Sequence, residues 1–191
     1  MKDPALFIIF LGLFLLPAAF AFRRAKSELE LHQRISTATF TAALFAYIAL
    51  AAGIVLGSWL HAWPLPIVEW ISQTLGIASM FVGAIVYLTA RLQLRSFRQT
   101  WALRTNRLLT SGIYRLLRHP QNLGWGLLLG GIALLGRSGM ALALTGAYVV
   151  TCVIWLPVEE AFLERRFGAS YTRYRQHTPA LIRLRERRGT S

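Results

Sequence analysis

Charged side chains are shut out of five stretches of this chain, and that exclusion limits its fold more than any other feature. Residues 4–22, 35–68, 70–90, 119–136 and 138–158 hold no Lys, Arg, Asp or Glu, in runs of 19, 34, 21, 18 and 21 residues. The hydrocarbon core of a bilayer is about 30 Å thick and is crossed by about 20 helical residues. Each run therefore qualifies as a span, the second once trimmed to about 37–60. The competing reading, short buried helices of a soluble core, does not suit five such runs in 191 residues. Composition agrees: 55% of residues are hydrophobic and 15% charged, against about 45–50% and 25% in soluble domains. Disorder is excluded by the hydrophobicity, and a disulfide framework by the single Cys152. The first run is not read as a cleaved leader. Met1-Lys2-Asp3-Pro4 is a poor positive region and Arg23-Arg24 follows in place of a small-residue cleavage site. The expected fold is all-α, a polytopic integral membrane protein with about five transmembrane helices.

The net charge of +13 comes from 21 Lys+Arg against 8 Asp+Glu. Nucleic-acid binding is one reading of such an excess, but the basic residues flank spans and form no separate basic domain. Alternating the five spans puts 19 of the 21 on one side, in the connections 23–34 and 91–118 and after 158, with Lys2 and Arg137 opposite. Lys and Arg accumulate in cytoplasmic connections. The expectation is an N-terminus outside and a C-terminus in the cytoplasm, in an inner membrane of bacterial or archaeal type.

Two parts are expected: residues 1–90 with three spans, and residues 91–191 with an interfacial segment, a two-span hairpin and a cytoplasmic lid. Arg91, Arg95 and Arg98 recur on one face of 91–109, and Leu94, Phe97, Trp101 and Leu108 favour another. That pattern suits an amphipathic helix at the lipid surface and equally a basic helical linker. Spans four and five are joined only by Gly136-Arg137-Ser138-Gly139, so they form an antiparallel hairpin. Gly126 and Gly130 on one arm, with Ala143 and Ala147 on the other, have the small-xxx-small spacing of close membrane packing.

The hairpin brings two polar clusters to one membrane face: Tyr114 through Arg118-His119-Pro120, and Glu159-Glu160 followed by Tyr171. Arg118 and His119 suit a carboxylate, and Glu159 and Glu160 suit an ammonium group. Adjacent carboxylates at a membrane boundary are costly unless paired. Either Arg118 pairs with one of them or a cationic ligand does. No metal is expected, since His32, His61, His119 and His177 are scattered and Cys152 lies mid-span. No phosphate-binding glycine loop is present.

Residues 109–124, with Arg118-His119-Pro120 and Gly124, and later Glu159-Glu160, Phe167-Gly168, Tyr171, Tyr174 and Thr178-Pro179, resemble the isoprenylcysteine carboxyl methyltransferase and phospholipid methyltransferase superfamily. The resemblance covers about residues 91–182. It implies a methyltransferase using S-adenosylmethionine bound at the cytoplasmic face. It implies cofactor contacts from Tyr114, His119, Pro120, Gly124, Glu159, Glu160 and Tyr171, with Arg118 orienting the cofactor carboxylate or its neighbours. Glu159 and Arg118 would be the catalytic pair and 167–182 a lid. The partners implied are the bilayer and a lipophilic or small methyl acceptor entering sideways, a prenylated cysteine carboxylate, a phospholipid amine or a thiol. Nucleic acid is not implied. Two positions depart from the superfamily. Asn122 stands where Tyr is usual, and Trp155 stands where isoprenylcysteine-type enzymes often carry Arg, one turn before Glu159. They keep open a non-catalytic protein of the same fold, and a nicotinamide-dependent membrane reductase is the other alternative.

Overall fold

A computed structural model describes residues 4–32, 34–94 and 108–181. Among them are six α-helices: α1 (Ala5–Leu31), α2 (Thr37–Trp59), α3 (Glu69–Gln93), α4 (Pro120–Leu135), α5 (Gly139–Phe167) and α6 (Ala169–His177). A short 3-10 turn, Gly112–Arg115, precedes α4. No strand occurs among the described residues, and the chain is an all-α polytopic membrane protein.

Four helices, α1, α2, α3 and α5, are long and apolar enough to cross a membrane. The fourth sequence run gives only the 16-residue α4. At 1.5 Å per residue it is about 24 Å long, short of the hydrocarbon thickness. Pro120 begins it and Gly136 caps it, so it cannot lengthen at either end without losing those residues' roles. The polar stretch after Phe22 is not a separate segment but the last turns of α1, which runs through Pro17 and Arg23-Arg24 to Leu31. Likewise α5 continues past residue 158, so the acidic cluster sits on the same rod as the span. The surface-helix expectation for 91–109 falls mostly on residues 95–107, outside the described residues; Arg91 and Gln93 belong to α3.

Inside this frame α1, α2, α4 and α5 share one core, in which Phe14, Leu50, Ile54, Leu129, Met140 and Leu144 are buried. Helix α3 packs on α4 instead. Its seam is built of glycines two turns apart, Gly76 and Gly83 facing Gly131 and Gly124. A methyl group on Gly83 would sit 2.8 Å from the Gly124 carbonyl oxygen, and one on Gly131 would sit 2.8 Å from that of Gly76. Backbone meets backbone here, as small residues permit between membrane helices. The pair singled out from sequence, Gly126 and Gly130, instead faces Tyr148 and Thr145 of α5 at 3.3 and 3.8 Å. The helix pair in closer backbone contact is therefore α3 with α4, not the two arms of the hairpin. Gly83→Leu is expected to cost at least the roughly 1–3 kcal/mol of overpacking, because the obstacle is backbone. Loss of the folded form in detergent thermal melts, with Gly126→Ala much milder, checks this.

At one end of the bundle Glu28 of α1 fixes the start of α2. Its carboxylate accepts from the Ser36 N–H at 2.8 Å, the Ser36 hydroxyl at 2.7 Å and the Thr39 hydroxyl at 3.0 Å. At the opposite end Leu65 N–H donates to Arg137 O and Gly139 N–H to Trp63 O, tying the α2–α3 connection to the hairpin tip. Both ends of α2 are thus held against α1 and α5.

Candidate active site

The start of α4 and the end of α5 carry the polar clusters, and α6 covers them. Gly168 makes the turn between α5 and α6 at φ 52° and ψ −131°, a region that glycine alone enters without strain. The chain beyond α6 then returns to the hairpin mouth. Arg118 N–H donates to Pro179 O and His119 N–H to Ala180 O, at 2.9 and 3.0 Å. The Tyr174 hydroxyl donates to Tyr114 O. Residues 167–181 thus form a cap over the polar clusters; Ile182 lies outside the described residues.

Beneath the cap Arg118 and Glu160 form an ion pair at 2.6 Å, each side chain 11% exposed. Arg118 also donates through Nη1 to Arg175 O at 3.0 Å, and Arg175 approaches Glu160 at 3.5 Å. Of the two alternatives left open by the sequence, Glu160 has the internal partner. His119 is 6% exposed and stands between the carboxylates, with Nδ1 3.5 Å from Glu159 and Nε2 3.4 Å from Glu160. Glu159 differs from its neighbour. Its side chain is 29% exposed, and His119 Nδ1 is the one basic nitrogen within 4 Å of its carboxylate among the described residues.

A cavity of about 770 Å³ opens from this cluster. Its polar end is lined by Tyr114, Arg118, His119, Pro120, Glu159 and Tyr171. Its other end runs between α1 and α2 on one side and α3 to α5 on the other, past Phe22, Tyr47, Tyr87, Trp125 and Trp155. Thus the walls come from both parts of the chain, and residues 1–90 contribute more than anchoring. Trp155 lies edge-on to Phe22 of α1, ring centroids 5.8 Å apart. Burial, and next the charge of Glu159, hold the Tyr114 phenol well above its ordinary value. Burial likewise raises Tyr171, and Glu160 adds to it. Both remain neutral donors at physiological pH. Burial pushes Tyr174 from 10.0 to about 12, Arg118 opposing. A phenol raised on folding keeps its contribution below the unfolded value and loses it as pH rises through the folded one. The cap is expected to loosen between pH 10 and about 12, with Tyr174→Phe removing that step; proteolysis of the cap across this range checks it.

Of the expected site residues, all but two line the cavity directly. Glu160 sits behind Glu159, engaged by Arg118 and His119. Gly124 lies in the α3–α4 seam, where a methyl group would meet the Tyr87 N–H at 2.6 Å; its place is helix packing. Sequence reasoning missed Gln121, which lines the cavity beside Pro120. A polar side chain at the start of a charge-free run was the available signal. The aromatic wall gave none, since aromatics in spans also face lipid. Among the described residues no three metal-ligating side chains come together.

The model of the family described as phospholipid methyltransferase matches residues 44–170, more than half of the chain. The chain belongs to that family. It is also 30% identical over 121 residues to protein-S-isoprenylcysteine O-methyltransferase B of Arabidopsis thaliana. That match spans 58% of this chain and 58% of the relative, so the chain covers under two thirds of the relative's length. The family match begins inside α2, well before residue 91, in keeping with a cavity that α2 helps to wall. Family model and relative are both described as methyltransferases, and the four long apolar helices make this chain an integral membrane member of the family.

Proposed function

We propose that the chain transfers a methyl group from S-adenosylmethionine to a lipophilic acceptor at the cytoplasmic membrane face, in the manner of an isoprenylcysteine carboxyl methyltransferase. The observation that carries this is one cavity joining a capped polar cluster to an aromatic and aliphatic wall between spans. The residues suit the cofactor: the Tyr171 hydroxyl is buried without a partner, and Glu159 offers a carboxylate to an amino group. Tyr114, His119, Pro120, Glu159 and Tyr171 would hold it, with Glu160 behind them, and residues 91–191 would be the methyltransferase half. When bound, S-adenosylmethionine supplies an electrophilic methyl group.

The chain's own part is orientation, which supplies about 7–11 kcal/mol of such a barrier. His119, fixed by its backbone bond to Ala180 and its two carboxylate contacts, holds Glu159 in place. The cap shields the polar end from the cytoplasm. The apolar wall receives the acceptor's hydrocarbon from the bilayer, and the basic residues on this face set the N-terminus outside.

A second reading is favoured by Trp155, an aromatic ring in the cavity wall one turn before Glu159. An aromatic face beside a carboxylate suits an ammonium group better than an anion. On that reading the acceptor is a phospholipid amine, and Glu159 takes its proton. Proteoliposomes supplied with methyl-labelled donor and either an aminophospholipid or a farnesylated cysteine derivative decide between them. Label in the prenylated carboxylate supports the first reading and label in the phospholipid supports the second. Label in neither contradicts both.

A further inference from the structure

We infer that the rings of Phe14, Tyr47 and Tyr148 form a stop across the cavity that sets how long a hydrocarbon tail the acceptor can carry; the inference rests on the lipophilic acceptor proposed above. From the polar cluster the cavity reaches into the bundle, and its lining ends at Phe14 on α1 and at Tyr148 on α5. Tyr47 of α2 bridges the two. Its ring centroid lies 6.4 Å from that of Phe14 and 6.0 Å from that of Tyr148. Three helices thus contribute one aromatic layer.

The layer is anchored and backed. The Tyr148 hydroxyl donates to Asn122 O of α4 at 3.0 Å. One turn further along α2 and α5, Leu50 and Leu144 are fully buried and belong to the shared core. Packed interiors hold few voids larger than a water molecule, so a tail that reaches the rings goes no further without displacing them. On the near side there is room. Phe22 meets Trp155, and between that level and the rings α1 turns only Ala18 and Ala21 to the cavity. The depth follows from helix geometry. Tyr148 precedes Glu159 by 11 residues on α5, about 16 Å at 1.5 Å per residue. On its open flank the cavity continues past the rings along α2 as far as Val55, which is 53% exposed. Tail beyond the stop leaves there into lipid and gains nothing from the protein.

The test is calorimetry on the detergent-purified full chain with N-acetyl-S-alkylcysteines of increasing tail length. Each variant is compared with wild type at the same length, which cancels partition of the tail into detergent. Tyr47→Ala removes the middle ring, the least buried of the three. Its affinity relative to wild type should stay level for short tails. For tails longer than about 16 Å it should rise by about fourfold per newly buried CH₂. Ala18→Leu, one turn from Phe14 toward the polar end, should do the reverse. Tails that reach it should bind about tenfold more weakly or worse, with shorter ones unchanged and the onset about 6 Å sooner. Either variant decides alone, so loss of folding in one leaves the test intact. Ratios that stay flat, or that change equally at every length, overturn the stop and leave the lipophilic-acceptor reading standing. A cooperatively melting wild type that binds no tail of any length overturns that reading, and this inference with it.

Discussion

Glu159→Gln is expected to cut methyl transfer by about 10²–10⁴ with an amine acceptor, where a positioned proton acceptor is lost. The protein should stay folded, with stability changed by no more than about 0.5 kcal/mol. The reasoning is in the contrast between the paired carboxylates. Glu160 is tied to Arg118 at 2.6 Å and is part of the structure. Glu159 is approached only by the His119 ring, at 3.5 Å, among the basic groups of the described residues, and opens on the cavity. A carboxylate acceptor needs no base, so with that acceptor the variant should act mainly through weaker donor binding. Steady-state rates measured across a range of donor concentrations separate the two: a fall in kcat marks the amine, a rise in KM for the donor marks the carboxylate. An unaffected rate with either acceptor would remove Glu159 from the site.

Arg118→Leu should act on the fold. It leaves Glu160 charged and buried beside His119, and breaking a buried pair from one side costs about 3–5 kcal/mol. It also removes the bond to Arg175 O that fastens the cap. Arg118→Leu with Glu160→Leu should recover most of that loss, since replacing both partners removes the stranded charge. Denaturation of the two variants in detergent, followed by circular dichroism, tests this. Equal losses in the single and double variants would show that the pair carries little of the stability.

The spans were legible because excluding charge from 20-residue stretches has one main physical cause. Where a helix stops within or beyond a run was less so. Arg23 and Arg24 end the charge-free run, but a helix leaving the bilayer need not break there, and α1 continues to Leu31. Which faces pack was hidden, because lipid and neighbouring helix are equally apolar. The choice of Gly83 and Gly124 over Gly126 and Gly130 depends on how α3 lies on α4, which no spacing within one helix reveals. In the site, Arg118, His119, Glu159 and Glu160 stood out as polar groups beside membrane runs. Their division of labour did not: Glu160 is buried and Glu159 open because α5 turns 100° per residue, and the cap then covers one of the two faces. The backbone pairing of Arg118 and His119 with Pro179 and Ala180 spans about 60 residues and leaves no mark in either segment.

The central claim is that the cavity under the cap is a methyl-donor site. Titration of S-adenosylmethionine into the detergent-purified full chain tests it most directly, with Glu159→Gln alongside. Saturable one-to-one binding in the micromolar range, weakened in the variant, is the predicted result. No binding by a wild-type protein that melts cooperatively would contradict it.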